Sequence, residues 1–99
     1  MAERFDVDRG LFGISVAAEL TGVSAQALRA YEDKGLIAPH RTNGGTRRYS
    51  RNDLDRVDQI TTLLAAGVNL TGIAHILELQ AETTRLRSEL DNRDSARRA

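Results

Sequence analysis

Arg41, Arg47 and Arg48 flank the corner Asn43-Gly44-Gly45 in the stretch RTNGGTRRYS. Guanidinium groups are planar, permanently charged forks, and on a tight corner they suit a bidentate grip on phosphate. Upstream, Gln26 and Arg29 lie three apart in SAQALRAYED, which puts both on one face of a helix. Gln can pair with the adenine edge, and Arg with guanine or phosphate. Bond-breaking chemistry is poorly provided for. Asp53, Asp55 and Asp58 could be paired carboxylates, but beside a helix start they suit dipole stabilisation and solvation better. His40, next to Pro39, is either a phosphate contact or an exposed side chain. His75 has no second ligand at metal spacing and reads as a surface or interface residue. There is no Ser-His-Asp arrangement and no phosphate-cradling glycine loop, so no catalytic residue, metal site or cofactor is expected, and no enzyme.

The chain has 99 residues and a formal net charge of zero, which at first sight argues against a nucleic-acid partner. The distribution argues the other way. Residues 29–51 hold six Arg and Lys against two acids, whereas 52–82 hold one Arg against five acids. A local basic excess can attract phosphate while the acidic remainder favours solubility. Cysteine is absent, which removes disulfides and thiolate metal sites and fits a reducing compartment. The first residues carry no long apolar stretch, and no apolar run approaches the roughly 20 residues that cross a bilayer. A cytoplasmic, nucleoid-associated protein without a membrane partner is expected.

Helices must position these groups. Ser15 is a plausible N-cap for a first helix with Val16, Ala17 and Leu20 as its apolar stripe, and Gly22 ends it. Ser24 caps a second helix, with Leu28 and Tyr31 on its inner face and Lys34-Gly35 at its close. Two helices about three residues apart outline a helix-turn-helix. Pro39 opens an extended segment, and His40–Tyr49 suits a β-hairpin in which Asn43-Gly44-Gly45 supplies positive φ. With Tyr49 facing the core, alternation points Arg48 outward and leaves Arg47 near the tip within reach of solvent. Ser50 then caps a third helix, with Asp53 in the capping-box position and Leu54, Val57, Ile60, Thr61 and Leu64 as its stripe. Gly67 stops it. Asn69 starts a fourth helix that packs Ile73, Ile76 and Leu77 inward. Beyond it Ile76, Leu79, Thr83, Leu86 and Leu90 follow a heptad alternation that fades into Arg93 and Arg97. The fold class expected is mainly α: a winged helix-turn-helix with a small β-hairpin wing, then a helix pair and a short C-terminal coiled-coil helix.

These segments in this order resemble the DNA-binding domain of the MerR family of bacterial transcription regulators. The likeness spans Leu11 to Leu79 and rests on the LRxYExxGLI stretch, the RxxxGxRRYS wing, the Asp53-Leu54 helix start and the GxNLxxI junction. Within the family, ISVAAEL, RTNGGTRRYS and GVNLTGI look most like the heat-shock repressor branch. The resemblance implies a tail over 1–10, a DNA-binding domain over 11–79, and a dimerisation helix over 80–99 that frays into charge. The implied DNA-binding set is Ser24, Gln26, Arg29, Tyr31, Arg41, Arg47, Arg48 and Tyr49. In it Tyr31 contacts phosphate or braces the recognition helix, and Tyr49 anchors the wing. Ala30 and Thr46 depart from the family by standing where aromatics are frequent. No effector domain or metal loop is expected, and the heat-shock branch implies partnership with the chaperone DnaK.

A single winged helix touches few base pairs, so two copies on a palindrome are expected, joined through Ile76, Leu79, Thr83, Leu86 and Leu90. The resemblance suggests antiparallel pairing; the bland alternative is that the stripe folds back on its own domain. The reading is a sequence-specific regulator acting as a repressor on a palindromic operator. Its rivals are an architectural or recombination factor with the same winged helix, and a protein-interaction module.

Overall fold

A computed structural model describes residues 8–98. Its elements run α1 (Ile14–Thr21), α2 (Ala25–Asp33), β1 (His40–Arg41), β2 (Arg47–Arg48), α3 (Arg51–Ala65) and α4 (Leu70–Arg98). This is the mainly helical architecture with one two-stranded antiparallel hairpin that the sequence leads one to expect.

α1 starts earlier than expected. Gly13 is its N-cap, so Ser15 lies inside the helix and caps nothing. The earlier start turns a different face inward. Ala17 is fully buried, Ile14 and Ala18 pack beside it, and Val16 and Leu20 stay exposed. At the far end Gly22, in the left-handed region at φ 73°, donates its N–H to the Ala18 carbonyl. Ser24 Oγ then accepts the Ala27 N–H at 3.1 Å and opens α2. Leu28 and Tyr31 bury the inner face of α2, as their spacing predicts.

α2 ends in a Schellman motif. Gly35, at φ 75°, donates to the Glu32 carbonyl and Leu36 donates to the Tyr31 carbonyl. The hydrophobic contact that accompanies this motif is Leu36 itself, only 2% exposed. The same two bonds recur after α3, from Gly67 to Leu64 and from Val68 to Leu63. That second motif faces Leu63 toward the core and leaves Leu64 exposed, which shifts the inward stripe of α3 by one residue at its end. Thr61 is likewise exposed; its hydroxyl bonds back to the Val57 carbonyl.

The wing is rooted by a bridge that the sequence reading did not anticipate. Tyr49 N–H donates to the Phe12 carbonyl, and the Tyr49 carbonyl accepts from both Leu11 and Phe12. Residues 8–10 therefore pack on the domain and are not a free tail; residues 1–7 lie outside the described residues. Gly10 sits so close to β2 that a Cβ there would stand 2.9 Å from the Arg48 carbonyl oxygen. Immediately after Tyr49, Ser50 forms a complete capping box with Asp53. Its Oγ accepts the Asp53 N–H at 3.0 Å, and its own N–H donates to Asp53 Oδ2 at 2.8 Å.

α4 is one 29-residue helix; no break separates the fourth helix from the segment beyond residue 79, and helix persists to Arg98. Asn69 Oδ1 accepts the Gly72 N–H at its start. Ile73 and Leu77 enter the core, whereas Ile76 is only half-buried and sits at its edge. One further tie, Gln59 Nε2 to Gln80 Oε1 at 2.5 Å, holds α4 against α3. Past it the helix leaves the body of the domain. Leu79, Leu86 and Leu90 are 67%, 46% and 57% exposed, so this stripe does not fold back on its own domain. Among the described residues no helix is long and apolar enough to cross a membrane.

Two measurements test this packing. Ser50→Ala removes half of a buried capping box and should cost about 1 kcal/mol in chemical denaturation; an unchanged midpoint would show that the box carries no weight. Tyr49 is fully buried, yet its hydroxyl finds no partner among the described residues. Burial, partly opposed by Arg47, holds the phenol above its ordinary value near 10. A raised folded value means a stability contribution that is complete below the unfolded value and lost as pH rises through the folded one. Tyr49→Phe should therefore melt no lower than the parent at neutral pH and should lose less stability in alkali. A loss near the 1–3 kcal/mol of a broken buried hydrogen bond would instead reveal a partner for the hydroxyl.

Candidate nucleic-acid interface

The exposed side of α2 carries Gln26 and Arg29, placed there because Leu28 and Tyr31 claim the opposite side. Neither side chain is drawn into the core, so both are available to a groove. Ser24 stands at the N-terminal end of the same helix, with its hydroxyl used as the cap. Tyr31 is only 8% exposed and lies in the core on the inner side of α2. Tyr49 is buried as the wing anchor.

β1 and β2 pair with His40 opposite Arg48 and Arg41 opposite Arg47. The turn between them is tight. The Gly45 N–H donates to the Thr42 carbonyl at 2.8 Å, and the Thr42 N–H donates to the Thr46 carbonyl at 2.9 Å. Of the three corner residues only Gly45 adopts positive φ, at 85°. The loop is thus a turn closed by one left-handed residue, which is a common three-residue hairpin connection.

Cross-strand pairing sorts the arginines by face. Arg41 and Arg47, opposite one another, both turn toward α2 and meet Glu32. Arg47 Nε donates to Glu32 Oε1 at 2.5 Å, and Arg41 Nη2 donates to Oε2 at 2.8 Å. The hydrogen bond from Arg47 is the main cause that holds the Glu32 carboxyl below its ordinary value; burial opposes it and Arg41 adds to it. Arg48, on the other face, does not swing free as alternation suggests. It is half-buried, with Nη1 3.1 Å from where a Cβ on Gly13 would stand, beside the start of α1. His40 presents Nε2 to the Asp8 carbonyl at 2.8 Å, so that nitrogen carries the proton and donates.

The structure thus leaves Gln26 and Arg29 exposed on α2 and ties the wing to that helix through Arg41, Arg47 and Glu32, while Arg48 lies on the other face of the wing beside the start of α1. Glu32 was missed by sequence reasoning. The available signal was an acid one helical turn after Arg29, one of two in a segment of basic excess, with no hint of which cations it meets. A cleft of about 630 Å³ elsewhere on the surface is lined by Asp8, Asp53 and Asp55, with His40 and Arg56 the basic side chains among its lining residues. That is the wrong sign for a phosphate. Among the described residues no three His, Asp or Glu side chains gather as metal ligands.

Known proteins share this arrangement. The model of the MerR helix-turn-helix family of regulatory proteins matches residues 12–80. The chain is 42% identical over 82 residues to a Streptomyces coelicolor protein named for heat shock, HspR, covering 82% of this chain and 54% of that one. It is 39% identical over 82 residues to the transcriptional regulator GlnR of Bacillus cereus, covering 80% and 64%. It therefore spans between about half and two thirds of these relatives. Among solved structures, HiNmlR, a MerR family regulator lacking the sensor domain and bound to promoter DNA, superposes with a TM-score of 0.68 at 29% identity, over 82% of this chain and 64% of that one. The N-terminal part of MtaN, the Bacillus subtilis multidrug transporter activator, superposes with a TM-score of 0.64, also at 29% identity, over 85% and 89%. With the helix-turn-helix, the rooted wing and the family match all falling on the same residues, the chain belongs to the MerR family of helix-turn-helix regulatory proteins.

Proposed function

We propose that this protein is a sequence-specific DNA-binding transcription regulator that acts as a homodimer on a palindromic promoter element, represses by occupying it, and works in the cytoplasm. The observation that carries this reading is the exposed face of α2, where Gln26 and Arg29 point away from the core, together with the wing that Glu32 ties to that helix through Arg41 and Arg47. α2 enters the major groove, with Gln26 and Arg29 toward base edges, and the wing arginines reach the adjacent phosphates. The likeness to a regulator bound to promoter DNA supports the DNA partner, and the repressor role rests on the resemblance of ISVAAEL, RTNGGTRRYS and GVNLTGI to the heat-shock repressor branch.

The dimer rests on α4. Its exposed Leu79, Leu86 and Leu90, with half-buried Ile76 and with Thr83, form the seam for a second copy. Antiparallel pairing places the two wings apart on one side of the duplex, so half-site spacing follows from where the helices cross.

Binding should be followed by fluorescence anisotropy at several salt concentrations, on a duplex from upstream of this protein's own gene and on a scrambled control. The parent should prefer the native duplex, and Arg47→Ala/Arg48→Ala should bind more weakly with a salt slope shallower by about two. Equal binding to both duplexes would mark an architectural factor, and no binding at low salt a protein-interaction module. Leu86→Asp places a charge in the seam without touching the core. Sedimentation should shift toward monomer while helix content at low temperature is retained, with a loss of affinity for the palindrome. A dimer that survives the charge would overturn the seam.

A further inference from the structure

The three wing arginines are not equivalent. Arg41 uses both terminal nitrogens within the chain: Nη2 holds Glu32, and Nη1 donates to the Gly45 carbonyl at 3.0 Å. One guanidinium thereby ties the recognition helix to the tip of the wing. Arg47 is held differently. Only its Nε is engaged, and among the described residues Nη1 and Nη2 have no partner. The outer end of that fork is free and already oriented, since Glu32 fixes the side chain from the inside.

The wing needs such a tie. Each strand is two residues long, and an isolated hairpin of that size is not stable in water. Its root is fixed through Phe12 and Tyr49, but its tip is tied to α2 by the Glu32 carboxylate alone among the described residues. Glu32 and Arg47 are 19% and 23% exposed at their side chains, so this pair is more shielded from solvent and salt than an ordinary surface bridge. From these contacts we infer that Glu32 is a positioning residue for DNA recognition. It fixes the wing against the recognition helix through Arg41, which is a strut, and pre-orients Arg47, which is the phosphate contact. Arg41 takes no phosphate.

This inference rests on the DNA-binding reading and inverts a simple electrostatic expectation. Removing a negative charge beside DNA should tighten binding to every sequence. Loss of a positioning residue should weaken binding, and most on the duplex that needs both the helix and the wing in register.

The test uses the full chain with Glu32→Gln, Arg41→Ala and Arg47→Ala, on the native and scrambled duplexes across a salt series. Glu32→Gln should lose about tenfold on the native duplex and less on the scrambled one. Arg41→Ala should lose affinity with an unchanged salt slope, whereas Arg47→Ala should lower the slope by about one. Tighter binding of Glu32→Gln to both duplexes would overturn the inference, and so would a slope change in Arg41→Ala equal to that in Arg47→Ala. A DNA-free arm separates this inference from the reading beneath it. Amide exchange at Thr42 and Thr46, whose N–H groups close the wing, should speed up in Glu32→Gln while the α3 amides hold. Unchanged wing exchange defeats the positioning role even if the parent binds DNA. If the parent prefers neither duplex, the regulator reading fails, and exchange and salt slopes still decide the part played by Glu32.

Discussion

The backbone pairing of Phe12 with Tyr49 fixes the frame in which everything else is placed. Three hydrogen bonds join these two short segments: Leu11 and Phe12 both donate to the Tyr49 carbonyl, and Tyr49 donates to that of Phe12. α1 begins two residues after Phe12 on one side, and α3 begins two residues after Tyr49 on the other. The Tyr49 ring lies wholly inside, against the core that also receives Leu28, Val57, Ile60 and Ile73. The wing therefore has no independent foundation. Its root is the place where the two helical halves of the domain are joined, so its direction is set by the same packing that sets the recognition helix. A buried hydroxyl without a partner among the described residues is tolerated at this spot because the ring fills volume in the core, and burying an aromatic of that size outweighs one unsatisfied donor.

Charge is spent inside this frame before any of it meets a ligand. Residues 29–51 carry a clear basic excess, yet Glu32 takes up part of Arg41 and Arg47, and Arg48 lies folded toward Gly13. A count of cations thus overstates the number of phosphate contacts. It also misplaces their origin, because a pre-oriented fork loses less rotamer freedom on binding than a free side chain does. The same economy appears in α4, where Arg85 pairs with Glu82 and with Glu89. Those pairs are half-exposed and within one turn of each other, which places them among the weak helix-stabilising contacts.

How much of this was legible depended on whether the deciding interaction was local. Ser24, Ser50 with Asp53, and Asn69 were readable as helix starts because a cap and the backbone N–H it accepts from lie within three residues. The Leu28 and Tyr31 face and the Val57 and Ile60 face were readable from periodicity. The start of α1 was not. Gly13 takes the cap with no side-chain bond, and Ser15 offered a better-looking local signal that the Phe12–Tyr49 bridge overrode by fixing the chain upstream. Leu63 meets the core in place of Leu64 beside Val68, whose N–H closes the Schellman motif on the Leu63 carbonyl, a contact set by the glycine after α3. Glu32 was invisible for a different reason. Its partners lie 9 and 15 residues away across a turn, and nothing in the spacing selects them over Arg29 or Lys34. The docking of residues 8–10 has the same origin, since Gly10 is read only by the neighbour that leaves no room for a Cβ.

α4 shows what the isolated chain leaves unfinished. Helices gain most of their stability from burying an apolar face, and beyond Leu77 this helix has no face of its own domain to bury. Its pairs around Arg85 are worth only about 0.2–0.5 kcal/mol each. A leucine moved from water into a packed seam is worth about 1.5–3 kcal/mol if fully buried. Leu79, Leu86 and Leu90 therefore outweigh the ion pairs several times over once a second helix covers them. In the proposed dimer the same burial that completes the helix also sets the distance between two recognition surfaces. The link runs through α4 itself, an unbroken helix from its core contacts at Ile73 and Leu77 to the seam, so a change in where the two helices cross would move both wings together.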